Sequence, residues 1–283
     1  MGTDVRMWDA SSGALLRVWG LRKKYVRRDA VWRKSVPVVA VRGVDFEIPA
    51  GKTLALVGSS GSGKSTVARC VARLERPDAG EIRMGDVDIA ELGNRDLLRF
   101  RTEIQMVFQD AVTSMNPRFS AAEIIEEPLL IQRRGNNAAR RSRARELMNE
   151  VGLSPNSADR LAMEFSGGQR QRLAIARSLA LQPKLLVLDE ALSGLDLSTR
   201  AQIANLLLEL QAAHSLTYLL ISHDLPLVAR LADSIAVMSA GQIVEQGPTP
   251  HIISSPTHPE TQALLAAAKG FQSAYAATLG DSL

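Results

Sequence analysis

The sequence predicts an α/β fold with a mostly parallel β-sheet that is covered by helices. In the second half of the chain, short apolar runs alternate with helical patterns, and this alternation is typical of such sheets. The apolar runs lie at residues 185–188, 217–221 and 235–238, and the helical patterns lie at residues 198–213 and 225–231. A glycine-rich loop points the same way, because it joins an apolar run at 53–57 to a helical pattern at 64–74.

In the first half of the chain, the sequence patterns predict strands followed by a helical region. Residues 1–20 show no clear pattern, whereas the basic segment 21–36 predicts a strand followed by an exposed loop. Ser120 and Glu123 form a capping-box pattern, which predicts that a helix begins there. Further predicted elements are strands at 38–48, 81–84 and 104–108 and an Arg-rich helix at 138–151.

Composition limits the classes of function. A chain of 283 residues with 46% hydrophobic side chains can bury one sizeable core. The net charge of +4 is a weak bias and aromatic residues make up only 4%, so we expect no nucleic-acid partner. Cys70 is the single cysteine, which excludes an internal disulfide. No apolar stretch reaches the length of a membrane span, so a membrane role would depend on partner subunits.

A phosphate-binding pattern lies between the apolar run 53–57 and the helix that follows. It reads Gly58-Ser59-Ser60-Gly61-Ser62-Gly63-Lys64-Ser65, which matches the P-loop in full. The glycines let successive backbone N–H groups turn towards phosphate oxygens, and the helix N-terminus adds its positive dipole end. Lys64 would contact the β- and γ-phosphates, and the Ser65 hydroxyl can bind Mg²⁺. We therefore predict an ATP and Mg²⁺ site that also includes Thr66.

Two adjacent carboxylates follow the apolar run 185–188. A P-loop needs a carboxylate at the end of a neighbouring strand to hold hydrated Mg²⁺, and Asp189 occupies that position. Glu190 stands one residue further on, where a carboxylate could polarise an attacking water. The pair therefore predicts hydrolysis of the bound nucleotide.

The segment Phe165-Ser166-Gly167-Gly168-Gln169 resembles the signature motif of the ABC ATPases, and it precedes Asp189 by about twenty residues. The resemblance covers about residues 15–268. It implies an α/β fold with a P-loop NTPase core, an antiparallel β subdomain and an α-helical signature subdomain. The expected bounds are 15–250 for the ATPase domain, about 111–182 for the inserted helical subdomain and 251–283 for a helical tail.

Four more positions match motifs of this family. Gln109 resembles the Q-loop glutamine, Asp196 belongs to the D-loop segment 193–196, and His223 resembles the switch histidine. Tyr25 stands where the family stacks an aromatic ring on adenine. The resemblance implies catalytic roles for Glu190, His223 and Gln109, metal contacts from Ser65, Gln109 and Asp189, and nucleotide contacts from Ser166, Gly167, Gly168, Gln169, Asp196 and Tyr25.

Three features resemble the oligopeptide, dipeptide and nickel importer branch. They are the basic segment 26–37 after Tyr25, the segment Ser114-Met115-Asn116-Pro117-Arg118, and the tail motif His258-Pro259-Glu260-Thr261. Glu260 replaces the tyrosine that this branch usually has, and Ala191 replaces the usual proline after the catalytic glutamate. Some members hold an iron–sulfur cluster on tail cysteines, and we expect no cluster here because this tail has no cysteine.

The resemblance also implies partners and a place in the cell. We expect two integral-membrane permease subunits, a second ATPase subunit that is identical or paralogous, and indirectly a substrate-binding protein, at the cytoplasmic face of the cell membrane. A nickel or other small-solute importer is an alternative to a peptide importer. A non-transport ABC ATPase is disfavoured by the single P-loop and the absence of a long heptad run in the sequence. A non-hydrolysing regulatory module is disfavoured by intact Glu190, His223 and Gln109.

Overall fold

The computed structural model describes residues 13–27, 36–109 and 115–267. The strands are β1 Ala14–Arg27, β2 Val36–Pro49, β3 Thr53–Val57, β4 Ala79–Met84, β5 Val87–Asp88, β6 Ile104–Val107, β7 Leu185–Asp189, β8 Thr217–Ile221, β9 Ser234–Ser239 and β10 Gln242–Pro248. The helices are α1 Lys64–Val71, α2 Asn94–Glu103, α3 Ala121–Ile131, α4 Asn137–Glu150, α5 Gly167–Leu179, α6 Leu197–His214, α7 Leu225–Leu231, α8 Thr249–Ser254 and α9 Pro259–Ala267.

The larger sheet of the described residues has six strands in the order β10-β9-β3-β8-β7-β6. Neighbours from β9 to β6 pair in parallel, and β10 adds an antiparallel edge to β9. Every residue of β3, β7 and β8 is buried, which is why these strands read as continuous apolar runs. The predicted α/β fold with a mostly parallel sheet is confirmed.

A second sheet of the described residues has four antiparallel strands in the order β2-β1-β4-β5. Strand β1 begins at Ala14, so the expectation of no pattern over residues 1–20 was wrong for its last seven positions. Leu16 and Val18 are buried, whereas Trp19 is exposed. The strand was missed because Arg17 interrupts the apolar run, although burial that alternates from Leu16 to Trp19 is the pattern of a half-buried strand.

Helices α3, α4 and α5 pack against one another, and α5 also contacts β6 at the edge of the larger sheet. The Ser120 hydroxyl accepts a hydrogen bond from the Glu123 backbone N–H at 3.3 Å, and the Glu123 carboxylate accepts one from the Ser120 N–H at 2.8 Å. The predicted capping box at the start of α3 is therefore confirmed. Arg177 on α5 reaches Glu127 on α3 at 2.7 Å, which ties the two helices together.

Several predicted bounds were wrong. Helix α1 ends at Val71 rather than near residue 74, because Arg73 adopts a φ of 50° and its buried Nε donates to the Ile89 carbonyl at 2.7 Å. Strand β6 ends at Val107, so Gln109 lies in a bend beyond it. Helix α2 and strand β10 were not predicted, since α2 is mostly polar and buries only Leu97, and β10 has only Ile243 and Val244 among polar residues, glycine and proline.

The tail motif His258-Pro259-Glu260-Thr261 lies at the start of α9. The Glu245 carboxylate on β10 accepts hydrogen bonds from the Thr257 N–H and hydroxyl, both at 2.8 Å, and from the His258 N–H at 3.1 Å. Glu245 therefore anchors the turn from which α9 begins. The rest of the predicted helical tail, residues 268–283, lies outside the described residues.

None of the helices in residues 13–27, 36–109 and 115–267 has the length and apolar character of a membrane-spanning segment.

The cap of α3 gives a stability prediction. Ser120→Ala removes the side-chain acceptor for the Glu123 N–H, so we expect the free energy of unfolding to fall by about 1 kcal/mol in chemical denaturation. Ser142→Ala is the matched control, since Ser142 lies on the exposed side of α4 and alanine favours a helix interior. Equal destabilisation by the two substitutions would contradict the capping role of Ser120.

Candidate nucleotide site

The P-loop leaves the carboxyl end of β3 and enters α1 at Lys64. Glycine is required at two of its positions. Gly58 has a φ of 148° and a Cβ there would lie 2.1 Å from the Met238 carbonyl oxygen. Gly63 has a φ of 108° and a Cβ there would lie 2.3 Å from the Ala40 carbonyl oxygen. These two contacts let the loop pass between β9 and β2, and they set its course into the helix.

Lys64 is the central charge of the loop, and it is only 5% exposed. Its Nζ donates to the carbonyl oxygens of Gly58 at 2.9 Å and Ser59 at 2.8 Å. Burial lowers the pKa of the Lys64 ammonium below its usual value, and the nearby carboxylates of Glu190 and Asp189 oppose this shift. The loop carbonyls thus hold the ammonium at its centre. The N-terminus of α1 has no side-chain cap, which leaves its first N–H groups available to phosphate oxygens.

Ser65 and Asp189 meet at the carboxyl end of the sheet. The Ser65 hydroxyl donates to the Asp189 Oδ1 at 2.9 Å. Asp189 is 6% exposed, and burial raises the pKa of its carboxyl above the usual value, while the hydrogen bond from Ser65 lowers it. A hydroxyl and a carboxylate side by side are the hard oxygen donors that Mg²⁺ prefers, so these two residues fit the ion.

Glu190 and His223 lie beside this pair, at the ends of β7 and β8. The His223 Nδ1 is 3.7 Å from the Glu190 Oε1, with 64% of the histidine side chain and 22% of the glutamate side chain exposed. Glu190 has a φ of 49°, which turns the chain sharply out of β7. Its N–H donates to the Ile221 carbonyl at 3.0 Å, and its own carbonyl accepts from the Ser193 hydroxyl at 2.7 Å. These bonds offset the strain of the left-handed backbone.

Tyr25 lies on β1 and faces the start of α1. Its hydroxyl donates to the Glu75 carboxylate and lies 3.5 Å from the Thr66 hydroxyl oxygen. Burial, and next the hydrogen bond to Glu75, raise the pKa of Tyr25 above its usual value, so the phenol stays protonated. The structure thus brings Tyr25 to the end of the P-loop.

The signature segment lies at the N-terminus of α5. The Ser166 hydroxyl accepts from the Gln169 N–H at 3.3 Å, and the Gln169 side chain accepts from the Ser166 N–H at 2.9 Å. Gly167 and Gly168 follow Ser166 in the first turn, and a Cβ on Gly168 would lie 2.5 Å from the Thr199 Cγ2 of α6. The motif is exposed at Ser166, Gly167 and Gln169, so it presents a helix N-terminus outwards.

Asp196 and Gln109 are the last two of the predicted site residues. Asp196 caps α6, with its carboxylate accepting from the Thr199 N–H at 2.9 Å and the Thr199 hydroxyl at 2.7 Å, and these bonds lower the pKa of Asp196. Gln109 is exposed, just beyond β6, and β6 is the parallel neighbour of β7. Residues 110–114, which include Ser114 of the segment 114–118, lie outside the described residues.

Known proteins resemble the chain over most of its length. The ABC transporter family domain matches residues 41–193. A probable peptide ABC transporter ATP-binding protein of Sinorhizobium fredii is 46% identical over 258 residues, which is 91% of this chain and 73% of the relative. The dipeptide transport ATP-binding protein of Haemophilus influenzae is 44% identical over 253 residues, 89% of this chain and 77% of the relative.

The chain belongs to the ABC transporter family. It is therefore an ATPase of the ABC class. A solved structure supports this assignment. It is a dimeric ATP-binding cassette in a post-hydrolysis state with bound ADP and Pi. That cassette has a TM-score of 0.73 and 28% identity to this chain, and the match covers 83% of this chain and 98% of the cassette. The resemblance inferred from the signature motif is confirmed.

Two residues of this ABC ATPase escaped the sequence analysis. Arg200 on α6 pairs through Nη1 with the Asp224 carboxylate, and through Nη2 it donates to the Leu195 carbonyl at 3.0 Å. It therefore links the D-loop segment to the residue after His223. Glu75, the acceptor for Tyr25, was also missed. Each residue stands outside any motif, so only the folded chain reveals its partner.

The contact between the signature segment and α6 gives a prediction. Gly168→Ala places a methyl group 2.5 Å from the Thr199 Cγ2, so we expect the free energy of unfolding to fall by about 1–3 kcal/mol. Thr199→Ser removes that Cγ2 and keeps the hydroxyl that donates to Asp196, so adding it should restore most of the loss. Chemical denaturation of both single variants and the double variant measures these free energies of unfolding. If the losses of the single variants add in the double variant, the steric explanation is wrong.

Proposed function

We propose that this chain is the ATP-binding and hydrolysing subunit that energises an ABC importer of oligopeptides or dipeptides. The observation that carries the proposal is the phosphate cradle, in which buried Lys64 and the Ser65–Asp189 pair stand together at the end of β3 and β7. The peptide and dipeptide names of the two relatives favour a peptide over nickel or another small solute. ATP is the substrate, and its phosphates fit the cradle by charge and by the orientation of the α1 N–H groups.

Lys64 has the central part in phosphate binding. Its ammonium already donates to two loop carbonyls, so it is fixed in place before the nucleotide arrives. Because it is buried, its attraction to the β- and γ-phosphates is screened less than that of a surface lysine. Ser65 and Asp189, with Gln109, would hold Mg²⁺, which when bound neutralises charge on the phosphates.

Glu190 is the proposed general base. Its backbone turn directs the side chain out of β7, beside the cradle, and its carboxylate is partly exposed. A carboxylate there can take a proton from a water that attacks the γ-phosphate. The His223 Nδ1 is 3.7 Å from the Glu190 Oε1, so His223 would contact the same phosphate, and Gln109 would orient the water. Tyr25 would stack on the adenine.

The signature segment is proposed to act on the nucleotide of a second ATPase subunit. It presents the N-terminus of α5 outwards, and such an end binds anions. Ser166, Gly167, Gly168, Gln169 and Asp196 would close over ATP held by the P-loop of the partner, which is identical or paralogous. The dimeric state of the structural relative supports this arrangement.

Two permease subunits are the proposed membrane partners. A groove of the described residues runs between β6, α2 and α3, and its lining includes Leu98, Met106, Phe108 and Ile131. Leu98, Phe108 and Ile131 are exposed, so a helix of a permease could bury them. This contact would hold the ATPase peripherally at the cytoplasmic face of the cell membrane, and a substrate-binding protein would join the complex through the permeases.

The general-base assignment predicts a trapped state. Glu190→Gln keeps the shape of the side chain but cannot take a proton, so we expect turnover to fall about a hundredfold to ten-thousandfold at saturating MgATP. Binding of MgATP should persist, because Lys64 and Ser65 are unchanged. Size-exclusion chromatography with MgATP should show a dimer. Turnover like that of the unaltered chain would mean that another group is the base.

The groove predicts how the transporter assembles. Ile131→Glu puts a charge into the proposed permease contact, so less integral-membrane protein should co-purify in mild detergent. Val87→Glu, at an exposed site on β5 outside the groove, is the matched control. ATPase activity of the isolated chain should not change in either variant. Equal permease recovery with both variants, or recovery of none with the unaltered chain, would count against the proposed partners.

A further inference from the structure

Residues 75–78 are the last part of the connection between α1 and β4, and they lie along the edge of β1 where its pairing with β4 stops. Strand β4 begins at Ala79, and the last pair between the two strands is Arg22 with Ala79. Residues 23–27 of β1 extend further and pair with β2 on their other side. The edge of β1 that faces away from β2 therefore needs other partners beyond Arg22.

Asp78 and the backbone of the 75–78 segment supply those partners. The Asp78 N–H donates to the Arg22 carbonyl at 2.9 Å, and the Lys24 N–H donates to the Asp78 Oδ2 at 2.6 Å. The Lys23 ammonium donates to the Arg76 carbonyl at 2.8 Å and to the Asp78 Oδ1 at 3.4 Å. The Asp78 side chain and backbone thus replace β4 as the hydrogen-bonding partner of β1. These bonds fix the backbone of β1 next to Tyr25.

Glu75 then fixes the Tyr25 side chain. The Tyr25 hydroxyl donates to the Glu75 carboxylate, whose other oxygen is 3.5 Å from the Arg69 Nη1 on α1. The Lys23 ammonium lies 5.7 Å from the centre of the Tyr25 ring and covers one face of it. The ring is thus held at its hydroxyl end and on one face, so a base would stack on the opposite face.

We propose that Glu75 is a positioning residue for ATP binding, which holds the Tyr25 ring in the orientation that receives adenine. This inference rests on the proposed role of Tyr25. A tyrosine held in place before binding loses less conformational freedom when the base stacks on it. Without the Glu75 acceptor, the ring must be ordered at the moment of binding. The loss should then appear in nucleotide affinity and not in the chemical step.

The test is a double-mutant cycle on the full chain. Tyr25→Phe keeps the ring and removes the hydroxyl, Glu75→Ala removes the acceptor, and the double variant removes both. We expect each single variant to bind MgATP roughly two- to tenfold more weakly, as the ordering of one side chain predicts. The double variant should be no weaker than either single variant, because both changes break one contact. The KM for ATP should rise with kcat unchanged.

Three controls separate positioning from a structural defect. Glu75→Gln keeps an acceptor oxygen, so its affinity should stay within about twofold of that of the unaltered chain. Glu81→Ala removes a carboxylate that pairs with Arg83 on β4, away from Tyr25, and should have no effect. Magnesium tripolyphosphate has the phosphates but no base, so the Glu75→Ala chain should bind it as the unaltered chain does.

Additive losses in the cycle, equal losses for Glu75→Ala and Glu75→Gln, or weaker binding of tripolyphosphate would each overturn the proposal. Tyr25→Ala separates this failure from that of the underlying assignment. If Tyr25→Ala leaves MgATP affinity unchanged, Tyr25 is not the adenine contact, and the positioning role of Glu75 is wrong as well. If Tyr25→Ala weakens binding but Glu75→Ala does not, only the positioning role of Glu75 is wrong.

Discussion

The contact on which the site depends is the one between the buried Lys64 ammonium and the carbonyl oxygens of Gly58 and Ser59. A buried cation is costly unless polar groups surround it, and here the loop supplies them from its own backbone. That demand bends the loop around the ammonium and brings it close to neighbouring carbonyls at Gly58 and Gly63, where a side chain has no room. The proposed phosphate cradle is therefore formed by the same contacts that make a buried lysine tolerable.

Parallel strand order brings the other groups to this cradle. The carboxyl ends of β3, β7 and β8 lie at one edge of the larger sheet, so the P-loop, the Asp189–Glu190 pair and His223 meet there although they are far apart in sequence. The antiparallel sheet adds Tyr25 from β1, next to Thr66. The signature segment is not at this edge of the sheet, since it begins α5 and is exposed. We therefore propose that it contacts the nucleotide of a second subunit.

Buried strands and motif spacing allowed most of the fold to be predicted from the sequence, together with the grouping of Asp189, Glu190 and His223 near the P-loop. The bounds of β3, β8 and α7 match the sequence patterns, because each element is apolar and ends in clear turn or capping residues. Strand β10 and the start of β1 escaped, since both are half-buried and interrupt their apolar residues with polar ones. The links from Arg200 to Asp224 and from Tyr25 to Glu75 join positions 24 and 50 residues apart, and no local pattern reports such contacts.

The most direct test of this account is the binding and hydrolysis of MgATP by Lys64→Ala, compared with Lys52→Ala. Lys52 is an exposed lysine that pairs with Asp233, so its loss should leave both quantities unchanged. Loss of the buried Lys64 ammonium removes the charge that we propose contacts the phosphates, so we expect kcat/KM to fall at least about a hundredfold. Unchanged affinity and turnover in Lys64→Ala would contradict the phosphate site and the function built on it.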